Sequence, residues 1–174
     1  MFRVVLIPFF VFFMLSEHIA YHNYIAVAIF IVASLTDMLD GKIARKYNLV
    51  CNFGKFMDPL ADKLLVSSAM ICFVALSSNP MPAWVVIVII AREFIISGFR
   101  LVASDAGVVI AASYWGKIKT VTQMIMSIIL IVNFDGYIIN IVEYVFIYAA
   151  LILTVISLVD YMVKNWSVMR DGNM

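Results

Sequence analysis

Charged residues are scarce in this sequence. They make up 13% of its 174 residues, whereas hydrophobic residues make up 65%. Soluble domains of ordinary composition carry roughly twice that share of charge, and a chain of this size has too little interior to hide so many apolar side chains from water. A formal net charge of +1 and the lack of a basic run also exclude nucleic-acid binding as the main role. The composition therefore predicts an integral membrane protein.

Cysteine, proline and glycine are also rare, with counts of two, four and seven. Cys51 and Cys72 supply neither a disulfide framework nor the spacing of a zinc site, so we expect both to be small packing residues. The few helix-breaking residues separate long apolar runs, and we expect a loop over 47–54, with Asn and Gly54 as breakers. Taking about 20 apolar residues per span, the runs predict six membrane-spanning helices in one domain over 1–174, at about residues 2–15 or 2–20, 23–46, 58–77, 81–103, 114–133 and 139–163.

Lysine and arginine are unequally divided between the two sides of this arrangement. The connections at 17–24, 75–83 and 134–140 contain neither residue. Cytoplasmic loops of membrane proteins carry the excess of Lys and Arg. We therefore predict that both termini and the basic segments are cytoplasmic, with cations at Arg3, Lys42, Arg45, Lys46, Lys55, Arg100, Lys117, Lys119, Lys164 and Arg170.

Four aspartates stand out at the facing ends of the second and third predicted helices, where ionisable groups are costly and indicate function. Asp37 and Asp40 are near the cytoplasmic end of the second helix, and Asp58 and Asp62 open the third. Helix geometry separates the first pair by about 60° and the second by about 40°, so each pair shares a face. Four converging carboxylates need a cation, and their hard oxygen ligands suit Mg²⁺, Mn²⁺ or Ca²⁺. The alternative is a helix end held by salt bridges to nearby basic residues.

Small residues continue the helix face that carries Asp37. Gly41 and Ala44 follow it at four and seven positions, within about 40° of its direction. A face without bulky side chains lets a ligand approach the backbone closely. Arg45 lies next to this face, and its guanidinium fork can bind a phosphate. The pattern favours a phosphate-containing ligand beside the carboxylates.

Eight of these residues, with their spacing, resemble the signature of a known family. Asp37-x-x-Asp40-Gly41-x-x-Ala44-Arg45 followed by Gly54-x-x-x-Asp58-x-x-x-Asp62 is similar to the motif of the CDP-alcohol phosphotransferases. The segments at 2–8, 54–63, 91–100 and 116–120 also resemble bacterial members of that family that use glycerol phosphate. Such members begin with a short Asn-Pro-Asn-x-Leu-Thr type segment, so we expect a short N-terminal piece to be missing here.

The resemblance implies a fold, a location and a reaction. The implied fold is all-α, with six transmembrane helices, a polar cavity open to the cytoplasm and commonly a homodimer, in the bacterial cell membrane. The implied reaction transfers a phosphatidyl group from CDP-diacylglycerol to sn-glycerol 3-phosphate and releases CMP. The implied cofactor is Mg²⁺ or Mn²⁺, with two ions bound.

The resemblance also implies roles for individual residues. Asp37, Asp40 and Asp58 are implied to be metal ligands, and Asp62 is implied to be a metal ligand or the general base. The CDP-diacylglycerol pocket is implied to be formed by Asp40, Gly41, Ala44, Arg45 and Gly54.

Basic residues of the fourth and fifth helices are candidates for the acceptor, because its phosphate carries two negative charges. An arginine midway along a span, as at position 92, costs several kcal/mol unless it is paired or faces a polar cavity. Glu93 or one of the aspartates is an alternative partner for it, and the lysines of the fifth helix can instead be interfacial anchors. We predict an acceptor site formed by Arg92, Arg100, Lys117, Lys119 and Thr120.

Other functions compete with this interpretation. Within the family, the acceptor can instead be phosphatidylglycerol in cardiolipin synthesis, inositol phosphate or serine. A cation transporter is less favoured, because no inverted repeat is evident and the carboxylates cluster at one membrane face.

Of the remaining acidic residues, we expect Asp160 to pair with Lys164 and Asp135, Glu143 and Asp171 to be solvated.

Overall fold

The computed structural model describes residues 2–16, 18–19, 21–46, 52–76, 80–105, 110, 113–134 and 136–166, with the side chains at 2–4, 37–46, 52–62 and 105 outside this description. Within these ranges the chain forms six α-helices and no strand. They are α1 (Phe2–Leu15), α2 (His22–Lys46), α3 (Asn52–Ala75), α4 (Ala83–Asp105), α5 (Tyr114–Val132) and α6 (Tyr137–Lys164). The prediction of an all-α protein is confirmed for the described residues.

The helix bounds agree with the predicted runs except at the start of α3. This helix begins at Asn52, whereas the sequence predicted a start near Asp58 after a loop over 47–54. Gly54, expected to act as a breaker, lies inside the helix. One helical glycine costs only about 1 kcal/mol relative to alanine, so it weakens a helix without ending it.

Among the described residues, two helices, α5 and α6, are long and apolar enough to cross a membrane by length and composition. Shorter apolar stretches lie within the first three helices, at Val5–Leu15, His22–Thr36 and Lys63–Ala75. Large apolar side chains are exposed along α6, among them Ile152, Val155 and Val159. Such a surface suits lipid as the surrounding medium.

The first of two compact units comprises Met1–Pro80 and Ser127–Asp135. Within it, α1 packs against both α2 and α3. The rings of Phe10 and Phe30 are fully buried, with their centroids 5.9 Å apart. Ala26 and Ala33 lie one turn before and after Phe30 and are also fully buried. Small residues at this spacing let helix backbones approach closely in a membrane.

The second unit comprises Met81–Met126 and Gly136–Met174, and in it α4 packs against α6. The buried face of α6 is lined by small residues at its centre. Thr154 Oγ1 donates to the Ala150 carbonyl at 2.6 Å, and Ser157 Oγ donates to the Thr154 carbonyl at 2.9 Å. These hydroxyls are therefore satisfied within their own helix, as an apolar environment requires.

Cys72 and the acidic residues of the second half test smaller expectations. Cys72 is free and buried, as expected of a packing residue, and Asp160 pairs with Lys164 at 2.7 Å. The expectation that Glu143 is solvated is wrong: it is only 3% exposed. It lies one turn before Ile147 on the buried face of α6, so its helical position overrides its polarity. Asp135, Asp171 and Cys51 are outside the described residues.

Candidate functional site

The four aspartates of the predicted metal site lie on α2 and α3. Asp40 is six residues before the last residue of α2, and Asp58 is six residues after the first residue of α3. Both pairs therefore belong to the helix ends that flank one connection, and carboxylate oxygens fit a hard divalent cation. Among the described side chains, no group of three His, Cys, Asp or Glu residues is placed to hold a metal. The side chains of the predicted donor site are not among those that the structure describes. They belong to Asp37, Asp40, Gly41, Ala44, Arg45, Gly54, Asp58 and Asp62.

Glu93 links α4 to α5 within the second unit. Its Oε1 accepts a hydrogen bond from Arg92 Nη1 at 2.8 Å and another from Lys119 Nζ. Arg92 is 8% exposed and Lys119 is 1% exposed. Buried cations of this kind depend on their counter-charge, because removing one partner leaves an uncompensated charge. The alternative that Arg92 pairs with Glu93 is confirmed, and we call Arg92, Glu93 and Lys119 the buried ion cluster.

The start of α5 lies close to the buried ion cluster. Ser113 caps the helix: the Gly116 N–H donates to Ser113 Oγ at 3.1 Å, and the Lys117 N–H donates to the Ser113 carbonyl at 3.2 Å. A Cβ atom on Gly116 would lie 3.6 Å from Arg92 Nη2. The guanidinium is thus near the first turn of α5, where the helix dipole adds further positive potential.

Arg100 makes a different set of bonds from Arg92. Its Nε and Nη2 donate to the carbonyl oxygen of Ile110 at 3.3 and 3.0 Å. The residue as a whole is exposed. Arg100 therefore ties the end of α4 to the segment that precedes α5.

The two lysines at the start of α5 lie on different faces. The helix begins at Tyr114, before both residues, so their directions differ by about 200°. Lys119 is buried, whereas Lys117 is exposed. The Thr120 hydroxyl, also exposed, donates to the Gly116 carbonyl at 3.0 Å. Of the five predicted acceptor residues, the structure thus brings Arg92 and Lys119 together, while Arg100 and Thr120 bond to backbone carbonyls.

Sequence reasoning missed three features of this region. Glu93 bridges two cations on different helices, whereas the sequence offered it only as a partner of Arg92. Gln123 is buried one turn beyond Lys119, at 4% exposure, and its four-residue spacing from that lysine would have indicated a polar helix face. The capping role of Ser113 was also missed, although a serine just before an apolar helical run is a known start pattern.

Comparisons with known proteins agree with the sequence motif. The family model described as CDP-alcohol phosphatidyltransferase matches residues 1–156. The CDP-diacylglycerol–glycerol-3-phosphate 3-phosphatidyltransferase of Bacillus subtilis is 43% identical, over 98% of this chain and 94% of that relative. The protein of the same name from Haemophilus influenzae is 39% identical, over 92% of this chain and 87% of its own length. A probable phosphatidylglycerophosphate synthase of Mycobacterium tuberculosis is 37% identical, over 93% and 77%. The chain belongs to the CDP-alcohol phosphatidyltransferase family.

Proposed function

We propose that this protein transfers a phosphatidyl group from CDP-diacylglycerol to sn-glycerol 3-phosphate, giving phosphatidylglycerol phosphate and CMP. The observation that carries the proposal is its 43% identity, over 98% of the chain, to the Bacillus subtilis relative whose name states both substrates. A second relative of that name, from Haemophilus influenzae, supports the same acceptor. The eight-residue motif over 37–62 supports the donor.

The donor site is proposed on α2 and α3. Asp37, Asp40 and Asp58 would hold Mg²⁺ or Mn²⁺, with Asp62 available as a further ligand. Two such ions, when bound, neutralise the pyrophosphate and stabilise the departing CMP. The adjoining CDP-diacylglycerol pocket is proposed to consist of Asp40, Gly41, Ala44, Arg45 and Gly54.

Asp62 is also the proposed general base. An alcohol is a weak nucleophile, so a carboxylate within hydrogen-bond reach must take its proton as it attacks. Asp62 lies one turn beyond Asp58 on α3, on the same face as that ligand. It would accept the proton from the acceptor hydroxyl while the oxygen bonds to the β-phosphorus of CDP-diacylglycerol. The bond from that phosphorus to the oxygen of CMP breaks in the same step.

The acceptor site is proposed on α4 and α5. The acceptor brings a phosphate dianion, and the buried ion cluster carries two cations on one carboxylate. A phosphate bound there would pair with the positive charge that Glu93 does not balance. The exposed Arg100, Lys117 and Thr120 would form the outer part of the site and guide the anion inwards.

The proposal includes a location and an assembly. All six helices would span the bacterial cell membrane, with both termini and the active site on the cytoplasmic side, and two copies would form a homodimer. The candidate spans α5 and α6 support the membrane assignment. Connections without Lys or Arg at 17–24, 75–83 and 134–140 support the orientation.

A direct test measures CMP release by the purified full-length protein in detergent–lipid micelles with CDP-diacylglycerol. Separate reactions contain glycerol 3-phosphate, phosphatidylglycerol, inositol phosphate, serine or no acceptor. We expect release with glycerol 3-phosphate alone, its loss in EDTA and its recovery with Mg²⁺ or Mn²⁺. Faster CMP release with another acceptor would show that glycerol 3-phosphate is not the preferred substrate. Full activity in EDTA would refute the metal site, and no CMP release with any acceptor would refute the proposed transferase activity.

A further inference from the structure

Tyr161 of α6 carries a buried hydroxyl that no described residue of its unit satisfies. The side chain is 4% exposed, and its ring packs edge-on against Phe99 with centroids 5.7 Å apart and planes at 87°. Its Oη is buried, and the structure shows no hydrogen-bond partner for it in the described chain. Buried polar groups are normally hydrogen-bonded, and leaving one without a partner costs free energy. A phenylalanine at this position would make the same ring contact without that cost. The hydroxyl therefore calls for a partner that the described chain does not supply.

Arg92 carries a second open donor of the same kind. Its Nη1 is used by Glu93, but its Nε is buried and likewise lacks a partner within the described residues. Tyr161 packs against Phe99, which lies two turns beyond Arg92 on α4 and within about 20° of its direction. The open phenol and the open guanidinium N–H thus belong to one positively charged region of the second unit.

The chemistry of these groups selects the class of ligand. An arginine Nε–H can only donate, and a phenol in a positive field is well placed to donate as well. A group that satisfies both must offer several acceptor oxygens and negative charge. A phosphate monoester has three such oxygens and two charges, whereas a free hydroxyl or an ammonium group provides neither.

We propose that the Tyr161 hydroxyl and Arg92 Nε donate hydrogen bonds to the phosphate of the acceptor alcohol, which makes Tyr161 an acceptor-binding residue. This inference rests on the proposed function and deepens its acceptor site. Tyr161 lies beyond residue 156, where the match to the family model ends, so the family motif does not assign it. Because the phenol is neutral, it adds an oriented donor without adding a charge that would also attract the pyrophosphate.

The test compares Tyr161→Phe with the wild-type full-length protein. The substitution keeps the ring against Phe99 and removes only the hydroxyl. We expect KM for glycerol 3-phosphate to rise about tenfold or more, as for a hydrogen bond to a charged group, with KM for CDP-diacylglycerol unchanged. Tyr148→Phe, which removes an exposed hydroxyl from the same helix, should leave both constants unchanged.

Inorganic phosphate provides a readout that does not depend on turnover. Phosphate should raise the thermal unfolding midpoint of the wild-type protein in detergent, and Tyr161→Phe should weaken that rise, whereas Tyr148→Phe should not. If both KM and the phosphate response of Tyr161→Phe match the wild type, the inference is overturned and the proposed function stands. Glycerol 3-phosphate can fail as a substrate while Tyr161→Phe still weakens the stabilisation by phosphate. In that case the proposed function is wrong, but the anion site at Tyr161 and Arg92 is supported. A wild-type protein that does not respond to phosphate overturns the site.

Discussion

Glu93 shows how much can depend on one side chain in a protein with few charges. One of its oxygens accepts bonds from two cations that are each more than nine-tenths buried. In such a position an ion pair gives little net stability compared with apolar packing, but breaking it is costly. The carboxylate of Glu93 therefore contributes little net stability itself, but its loss would leave two buried cations without a counter-charge.

Neutralising Glu93 should harm both stability and function. Glu93→Gln leaves Arg92 and Lys119 without their shared anion, at a cost of about 3–5 kcal/mol. We expect a lower thermal unfolding midpoint in detergent. We also expect a raised KM for glycerol 3-phosphate, because the carboxylate that holds Arg92 and Lys119 in place is lost, and this loss of positioning outweighs the added positive charge. Glu143→Gln is the matched control, because Glu143 is buried in the same unit and its Oε1 is unpartnered in the described chain. That variant should unfold at the same or a higher temperature, and equal losses in both variants would contradict the role of Glu93.

Removing the buried lysine should affect the acceptor selectively. Lys119→Ala is expected to raise KM for glycerol 3-phosphate by about tenfold to a hundredfold, since a bond to a charged group contributes about 1.5–3 kcal/mol. KM for CDP-diacylglycerol should stay nearly constant in steady-state assays of CMP release. Lys164→Ala removes an exposed lysine that pairs with Asp160, one turn earlier in its own helix, and should change neither constant. A selective loss of donor affinity in Lys119→Ala would show that this cation serves the pyrophosphate instead.

The start of α5 determines which residues of that helix can reach Arg92. Ser113 fixes the first turn by accepting the Gly116 N–H. With the helix beginning at Tyr114, Lys119 is buried and Lys117 is exposed. If the cap lay one or two residues later, different residues of α5 would be buried and exposed, because each residue turns the helix by about 100°.

Gly116 should tolerate one added carbon but not a branched side chain. A Cβ there would meet Ser113 Oγ at 3.4 Å and Arg92 Nη2 at 3.6 Å, both ordinary contacts. We expect Gly116→Ala to keep near wild-type kinetics. Gly116→Val should raise KM for glycerol 3-phosphate, because its methyl groups extend towards the guanidinium. The control is Gly98→Val, since a Cβ at Gly98 meets nothing within 4 Å. Similar losses in both valine variants would attribute the effect to helix propensity alone.

Much of the helical architecture could be predicted from the sequence, because the apolar runs are long and their breakers few. The exception at α3 arose from treating Gly54 as a stop, when a lone glycine carries only a modest helical penalty. Burial of Glu143 could not be predicted from residue type, since it follows from the face that α6 turns towards its neighbours.

The site was predictable to different degrees for different residues. The eight signature residues stand out because they match the family motif in both type and spacing. Glu93 was one of the partners that the sequence offered for Arg92, because an arginine within a span needs a counter-charge. The contact between Glu93 and Lys119 joins residues 26 positions apart on different helices, and only three-dimensional packing reveals such a pairing.

At the scale of the whole molecule, the uneven distribution of basic residues predicts which ends of the helices face the cytoplasm. Two exposed aromatic residues flank the described ends of α5 and α6: Phe134 follows α5, and Trp166 follows α6. The proposed orientation assigns them to opposite sides of the membrane. Each can therefore report its side if it is replaced by a cysteine.

Labelling with a membrane-impermeant maleimide in intact cells should distinguish the two positions. In a background with Cys51 and Cys72 changed to alanine, we expect Phe134→Cys to be labelled in intact cells. Trp166→Cys should react only after the cells are lysed. The reverse pattern would invert the topology, and labelling of both before lysis would rule out the single span proposed between the two positions as well as the proposed orientation.

The shared oxygen of Glu93 also constrains how this protein can change over evolutionary time. A substitution at Arg92, Glu93 or Lys119 alone leaves a charge or a gap that only a change at one of the other two can repair. Such positions are expected to be inherited as a block, and lineages that alter one should alter its partners within a few steps. Drift at the surrounding lipid-facing positions carries no such penalty, so this small cluster should keep its residues long after its neighbours have diverged.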